Sequence, residues 1–149
     1  MKFTLPETIG GDLRLCKGPC VATLEKLSIG KSKAGFPKIT AHYIITDISE
    51  AFEADGDEPV IGEKAIETYS LQPQALFALE ATYKDATGES LLSLKDKSPK
   101  GDGEFEVTDF VKLISDVLCG TEWDLILDKQ VPPGESEERT FISAKSFKG

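Results

Sequence analysis

The chain is poor in the residues that most often do chemistry. Its 149 residues hold one histidine, three cysteines, one methionine and one tryptophan. A structural zinc site takes about four Cys or His ligands, and this sequence offers only Cys16, Cys20, Cys119 and His42 for the purpose. Cysteines this sparse read as free thiols in a reducing compartment, so no metal and no cofactor is expected. No nucleophile motif of the G-x-S-x-G kind accompanies His42. Gly30-Lys31-Ser32 lacks the upstream glycine of a phosphate-binding P-loop and leads into an alternating strand pattern, not a helix. The expectation is a protein that is not an enzyme. Long hydrophobic runs are missing too: nothing approaches the roughly 20 apolar residues of a membrane span. The opening MKFTLPETIGG has no apolar core of a secretory signal. A cytoplasmic protein without a membrane partner is expected.

Positive charge is scarce and unevenly spread. Lys and Arg number 17 against 26 Asp and Glu, a net charge of -9. Residues 1–49 nevertheless carry seven basic against four acidic residues, whereas residues 50–149 carry ten against twenty-two. Between Asp47 and Glu63 there are seven acidic residues and no basic one. Asp55-Gly56-Asp57-Glu58 within that run does not meet the alternating-oxygen pattern of a calcium loop, so it reads as a solvated acidic loop. A binding face depends on potential within about one Debye length, roughly 8–10 Å, so an anionic whole still permits a cationic wall.

At this length one domain with a sizeable core is expected over 1–149. Residues 1–12, with Pro6 and Gly10-Gly11, read as a loose N-terminal arm, and 49–62 and 89–104 read as flexible loops. In VATLEKLSI the set Val21, Thr23, Glu25, Leu27 and Ile29 reads as the mostly inward face of a first strand. A turn at Gly30–Gly35 follows. The second strand, 38–48, places Ile39, Ala41, Tyr43 and Ile45 on one face and Thr40, His42, Ile44 and Thr46 on the other. Residues 63–71 read as a third strand. A helix opening near Pro73 carries Leu76, Leu79 and Tyr83 and stops at Gly88. A second helix over 107–118 puts Val107, Phe110, Val111, Ile114, Val117 and Leu118 on one stripe, with Thr108 as N-cap and Gly120 as stop. Trp123, Leu125 and Leu127 mark a fourth strand, and 137–147 a fifth.

The order β-β-β-α-α-β-β, mainly β with two inserted helices, is that of an OB-fold-like five-stranded barrel. In such a fold the faces of strands two and three, with the loops joining strands one–two and four–five, form the usual binding surface. Here these are the Lys31–Lys38 loop, the Tyr43 and Tyr69 strands and the Gln130–Arg139 loop. Lys33-Ala34-Gly35-Phe36-Pro37, and then Ile61-Gly62-Glu63-Lys64, resemble a phage-encoded family of OB-fold, single-stranded-DNA-binding-like proteins. Leu71-Gln72-Pro73-Gln74-Ala75-Leu76-Phe77 is similar to that family's strand-to-helix step. Leu118-Cys119-Gly120-Thr121-Glu122-Trp123 is similar to its late helix–Gly–strand step. The chain departs from the family in its acidic stretch at 50–60 and in Glu63, where the family tends to be basic. It ends Lys145-Ser146-Phe147-Lys148-Gly149, unlike the acidic tail with which bacterial single-strand binders recruit partners.

The resemblance implies sequence-tolerant binding of single-stranded DNA in phage replication or recombination. Lys31, Lys33, Lys38, Arg139 and Lys145 would follow phosphates, and Phe36, Tyr43 and Tyr69 would stack on bases. Replication or recombination proteins, and further copies of the chain, are the partners such a role admits. The alternative is a structural or protein-interaction module, a virion component or an acidic anti-defence factor, whose anionic surface meets a basic partner.

Overall fold

The computed structural model describes residues 1–7, 9, 20–48, 61–130 and 139–149. The acidic run 49–60, Cys16, Gly10-Gly11 and most of the Gln130–Arg139 loop therefore lie outside the described residues. Among the described residues the fold is mainly β, with seven strands in two sheets. In chain order these are β1 (Lys2–Thr4), β2 (Cys20–Lys31), β3 (Pro37–Ile48), β4 (Lys64–Ser70), β5 (Glu104–Glu106), β6 (Glu122–Gln130) and β7 (Arg139–Phe147). Helices α1 (Phe77–Thr87) and α2 (Val107–Leu118) lie between β4 and β6, as expected, with short 3-10 segments at Pro73–Ala75 and Leu91–Lys97. No helix among the described residues is long and apolar enough to cross a membrane.

Five strands are hydrogen-bonded in the order β2-β3-β4-β7-β6, and β6 pairs back onto β2 with Ala22 opposite Trp123 and Cys20 opposite Leu125. The β6–β7 ladder is antiparallel along its whole length, with an irregularity at Ile126/Leu127. The β4–β7 contact is parallel and slight, through Ile66 and Phe141. By packing, the described chain resolves into two compact units. One takes residues 1–13, 27–40 and 68–119, the other 14–26, 41–67 and 120–149.

In the first unit, helix α2 lays Val107, Phe110, Val111, Ile114 and Leu118 into the core, the 3.6-residue stripe the sequence spells out. Val117, expected on that stripe, is exposed instead. The N-cap is Glu106, not Thr108, and it makes no side-chain capping bond. Helix α1 buries Leu79, Thr82 and Tyr83 and ends at Gly88 in the left-handed conformation.

Two segments expected to be loose are built in. Lys2–Thr4 pairs with Glu104–Glu106, and Phe3 and Leu5 are buried. Phe3 meets Phe110 edge-on at 4.5 Å, and Phe105 lies 5.4 Å from Phe110. The stretch 89–104 forms a 3-10 segment that buries Leu91 and Leu94. The Glu80 carboxylate accepts the Leu91 N–H at 2.8 Å. Its following turn closes when Ser98 Oγ accepts the Gly103 N–H at 2.9 Å. Gly103 is needed there: its φ is +87, and a Cβ would meet Lys95 and Leu5.

In the second unit, Ile45, Tyr43 and Ala41 point inward from β3, as the alternation predicts. On β2 the expectation is reversed. Ala22 and Leu24 are buried, Val21 and Thr23 are only half-buried, and Glu25 is exposed. The reason is Trp123, fully buried opposite Ala22. A side chain that large leaves room across the ladder only for a small one, and this outweighs the apolar appeal of Val21.

Candidate functional site

The β2–β3 turn is built by its own backbone. Gly35 N–H donates to the Ser32 carbonyl at 2.9 Å, and Ser32 N–H to the Phe36 carbonyl at 2.8 Å. Ser32 Oγ accepts the Phe36 N–H at 3.1 Å. Gly35 has φ +85, the left-handed position that ends a type I turn in a three-residue hairpin loop. Below the turn, Leu71 N–H donates to the Pro37 carbonyl at 3.1 Å, which ties the hairpin's base to the segment leaving β4.

On this frame Lys31 and Lys33 are exposed and Phe36 shows 47% of its surface to solvent. Ile29 is 41% exposed on the same hairpin. Lys38 is half-buried, and its stem crosses Gly30, where an added Cβ would meet Lys38 Cε at 3.2 Å. From Ile29 to Lys38 there is no acidic residue. Among the described residues, no carboxylate forms an ion pair with Lys31, Lys33 or Lys38. Three ammonium groups and one open aromatic face therefore share a single turn.

The other residues expected at the site fall elsewhere. Tyr43 is fully buried, and its hydroxyl donates to Glu67 at 3.5 Å. Tyr69 is buried too, its hydroxyl 2.9 Å from that of Thr82 on α1. Neither ring has a face open to a base, because each lies on the inward side of its strand. Lys145 is also turned inward, opposite Leu125, with its side chain 10% exposed. It is ion-paired with Glu67, itself 22% exposed, and lies over the Trp123 ring at 5.4 Å. Its charge is committed inside the protein. Arg139 begins β7 and pairs with Gln130 through its backbone, and its side chain lies outside the described residues.

A second basic group was not anticipated. Strands β2, β3 and β4 are neighbours, and on them Lys26 and Lys64 are exposed and His42 is half-buried. Burial lowers the His42 pKa below its usual value, and Lys26 and Lys64 lower it further against an opposing pull from Glu25. The only cue in the sequence was a lone histidine on the polar face of β3. Which cations neighbour it depends on strand register, and no local pattern gives that.

Cys20 offers no nucleophile. Burial, then Glu63 and Asp124, push its thiol up to about 11, and the thiol donates to the Leu125 carbonyl at 3.7 Å. Such a group stays protonated at neutral pH. No protein-family model matches the chain, and no curated protein matches it either.

Proposed function

We propose that the chain is a single-stranded nucleic-acid-binding protein of the kind used in phage replication or recombination, built on an OB-type barrel and acting by binding, not catalysis. The observation that carries this reading is the β2–β3 hairpin, where Lys31, Lys33 and Lys38 flank an exposed Phe36 along the chain with no acidic residue between them. The ring order of the strands supports the barrel. Numbered within the ring, it runs first, second, third, fifth, fourth, with the third–fifth contact parallel, as suits a partly open Greek-key barrel.

The lysines meet phosphates as point charges and release the counterions condensed on them. Phe36 takes a base on its open face, a contact of about 1–3 kcal/mol that any base can satisfy. Binding of this kind is tolerant of sequence. Tyr43, Tyr69 and Lys145 have no part in it, since they serve the interior.

Fluorescence polarisation with labelled oligo-dT tests the reading. Wild type should bind saturably at about 0.1 M salt, with Kd in the micromolar range typical of sequence-independent contacts. Phe36→Ala should weaken binding by roughly 5- to 100-fold, from the lost stacking contact. Lys31→Ala and Lys33→Ala should each weaken it and flatten the log–log salt slope by about 0.7. A flat titration, or three variants that bind like wild type, would point instead to a protein-interaction module.

A further inference from the structure

We propose that the cavity between helix α2 and the turn that follows Lys97 is a binding site for a small zwitterion with an apolar body, of the size and charge of a free apolar amino acid. The site is independent of the nucleic-acid reading and uses none of the hairpin's residues.

The cavity measures about 350 Å³, at the lower end of the roughly 300–1,000 Å³ typical of small-molecule sites. It lies wholly within the first unit. One wall is α2, which lines it with Asp109, Lys112 and Asp116. The opposite wall carries Lys97 and Pro99. Backbone bonds fix that wall: Ser98 N–H donates to the Lys95 carbonyl and Gly101 N–H to the Ser98 carbonyl, both at 3.1 Å. Phe105, buried against Phe110, and half-buried Leu113 supply the apolar surface. The walls stand in the free chain, so little backbone ordering opposes binding.

The charges decide what fits. Lys97, Asp109, Lys112 and Asp116 are all exposed, and among the described residues none of the four is ion-paired. On the helix face Lys112 has a carboxylate on either side, Asp109 one turn before it and Asp116 one turn after, with Cβ atoms about 5–6 Å apart. A lone anion drawn to Lys112 therefore meets both carboxylates, and a lone cation drawn to either carboxylate meets the ammonium groups. A molecule that carries both charges close together satisfies one of each and escapes the repulsion. Its apolar body then covers Leu113, Pro99 and Phe105, where burial adds attraction. An apolar α-amino acid has that charge spacing and that body. A phosphodiester strand, anionic throughout, does not.

The test is a proton–nitrogen NMR titration of the full chain with three probes: L-phenylalanine, phenethylamine, which lacks the carboxylate, and 3-phenylpropanoate, which lacks the ammonium. L-Phenylalanine should shift the amides of Lys97, Phe105, Lys112 and Leu113 saturably. A Kd of about 1–10 mM is expected, as ordinary binding energy per atom gives for so small a ligand. Each singly charged analogue should bind about 3-fold more weakly or worse, since it loses one exposed ion pair and gains a repulsion. Lys112→Gln should erase the preference over phenethylamine, and Asp109→Asn with Asp116→Asn the preference over 3-phenylpropanoate. All of these side chains are exposed, so an otherwise unchanged spectrum certifies the fold of each variant. Three probes that bind alike overturn the proposal, as do shifts that never saturate or that fall outside the cavity. Concentration-dependent self-association abolished by Lys112→Gln overturns it too, because a second copy would then occupy this face.

Discussion

Lys145 places a cation where the alternation of β7 demands an apolar residue. Its partners Glu67 and Trp123 point inward with it, as does Tyr43, whose hydroxyl donates to Glu67. A pair held this far from water returns its desolvation cost only while both members are present. Glu67→Gln removes the counter-charge and leaves the ammonium nearly buried, so urea denaturation should show a loss of about 2–4 kcal/mol. The double change Glu67→Leu with Lys145→Met should recover most of that loss, since packed apolar groups of similar volume replace such pairs at little cost. A loss below about 1 kcal/mol for the single change would mean that the pair behaves like a surface bridge. Side-chain roles at this scale were half legible. The parity of β3 assigned Tyr43 to the same face as Ile39, Ala41 and Ile45, and that face is the core. To offer Tyr43 and Tyr69 for base stacking required them to face outward, against their own strands' periodicity. Lys145 was misread for a different reason: charge argues for solvent, and only Glu67, on a neighbouring strand far away in sequence, reverses it.

The elements themselves were legible wherever a period ran long enough. The span of helix α2, the inward set of β3, and the turn at Gly35 all follow from local pattern and turn chemistry. The short pieces were not. A three-residue strand such as β1 has no period, and its reason to exist is a partner about a hundred residues away. The Pro- and Gly-bearing stretches 1–12 and 89–104 look like loops by composition. Their described parts, 1–7 and 89–104, are held by tertiary burial of Phe3, Leu5, Leu91 and Leu94. Phe3 is the test of that view. It packs with Phe105 and Phe110 in one aromatic cluster, so Phe3→Ala should cost about 3 kcal/mol in chemical denaturation. Amide protection at Glu104–Glu106 should fall with it, because β5 has β1 as its ladder partner. If the N-terminal strand were dispensable, the variant would unfold with wild type and the exchange rates would not move.

For the molecule as a whole, the proposed function asks a chain of net charge -9 to hold a polyanion. The answer depends on distance. At about 0.01 M salt the Debye length is near 30 Å, and a strand approaching the hairpin feels the charge of the entire chain. At about 0.15 M the length is near 8 Å, and it feels little beyond Lys31, Lys33 and Lys38. Above that range, counterion release makes affinity fall as salt rises. Below it, added salt screens the anionic body before it weakens the local contacts, so affinity should rise. Oligo-dT affinity is therefore expected to pass through a maximum as salt is raised from about 0.01 to 0.3 M, where a uniformly basic binder gives a straight descending line on logarithmic axes. The association rate, measured by stopped flow, should rise over the low-salt limb, because long-range repulsion acts on encounter more than on escape. A descending line throughout would mean that the acidic residues are too far from the binding face to be felt. The absence of binding at every salt would leave the negative surface itself as the functional one.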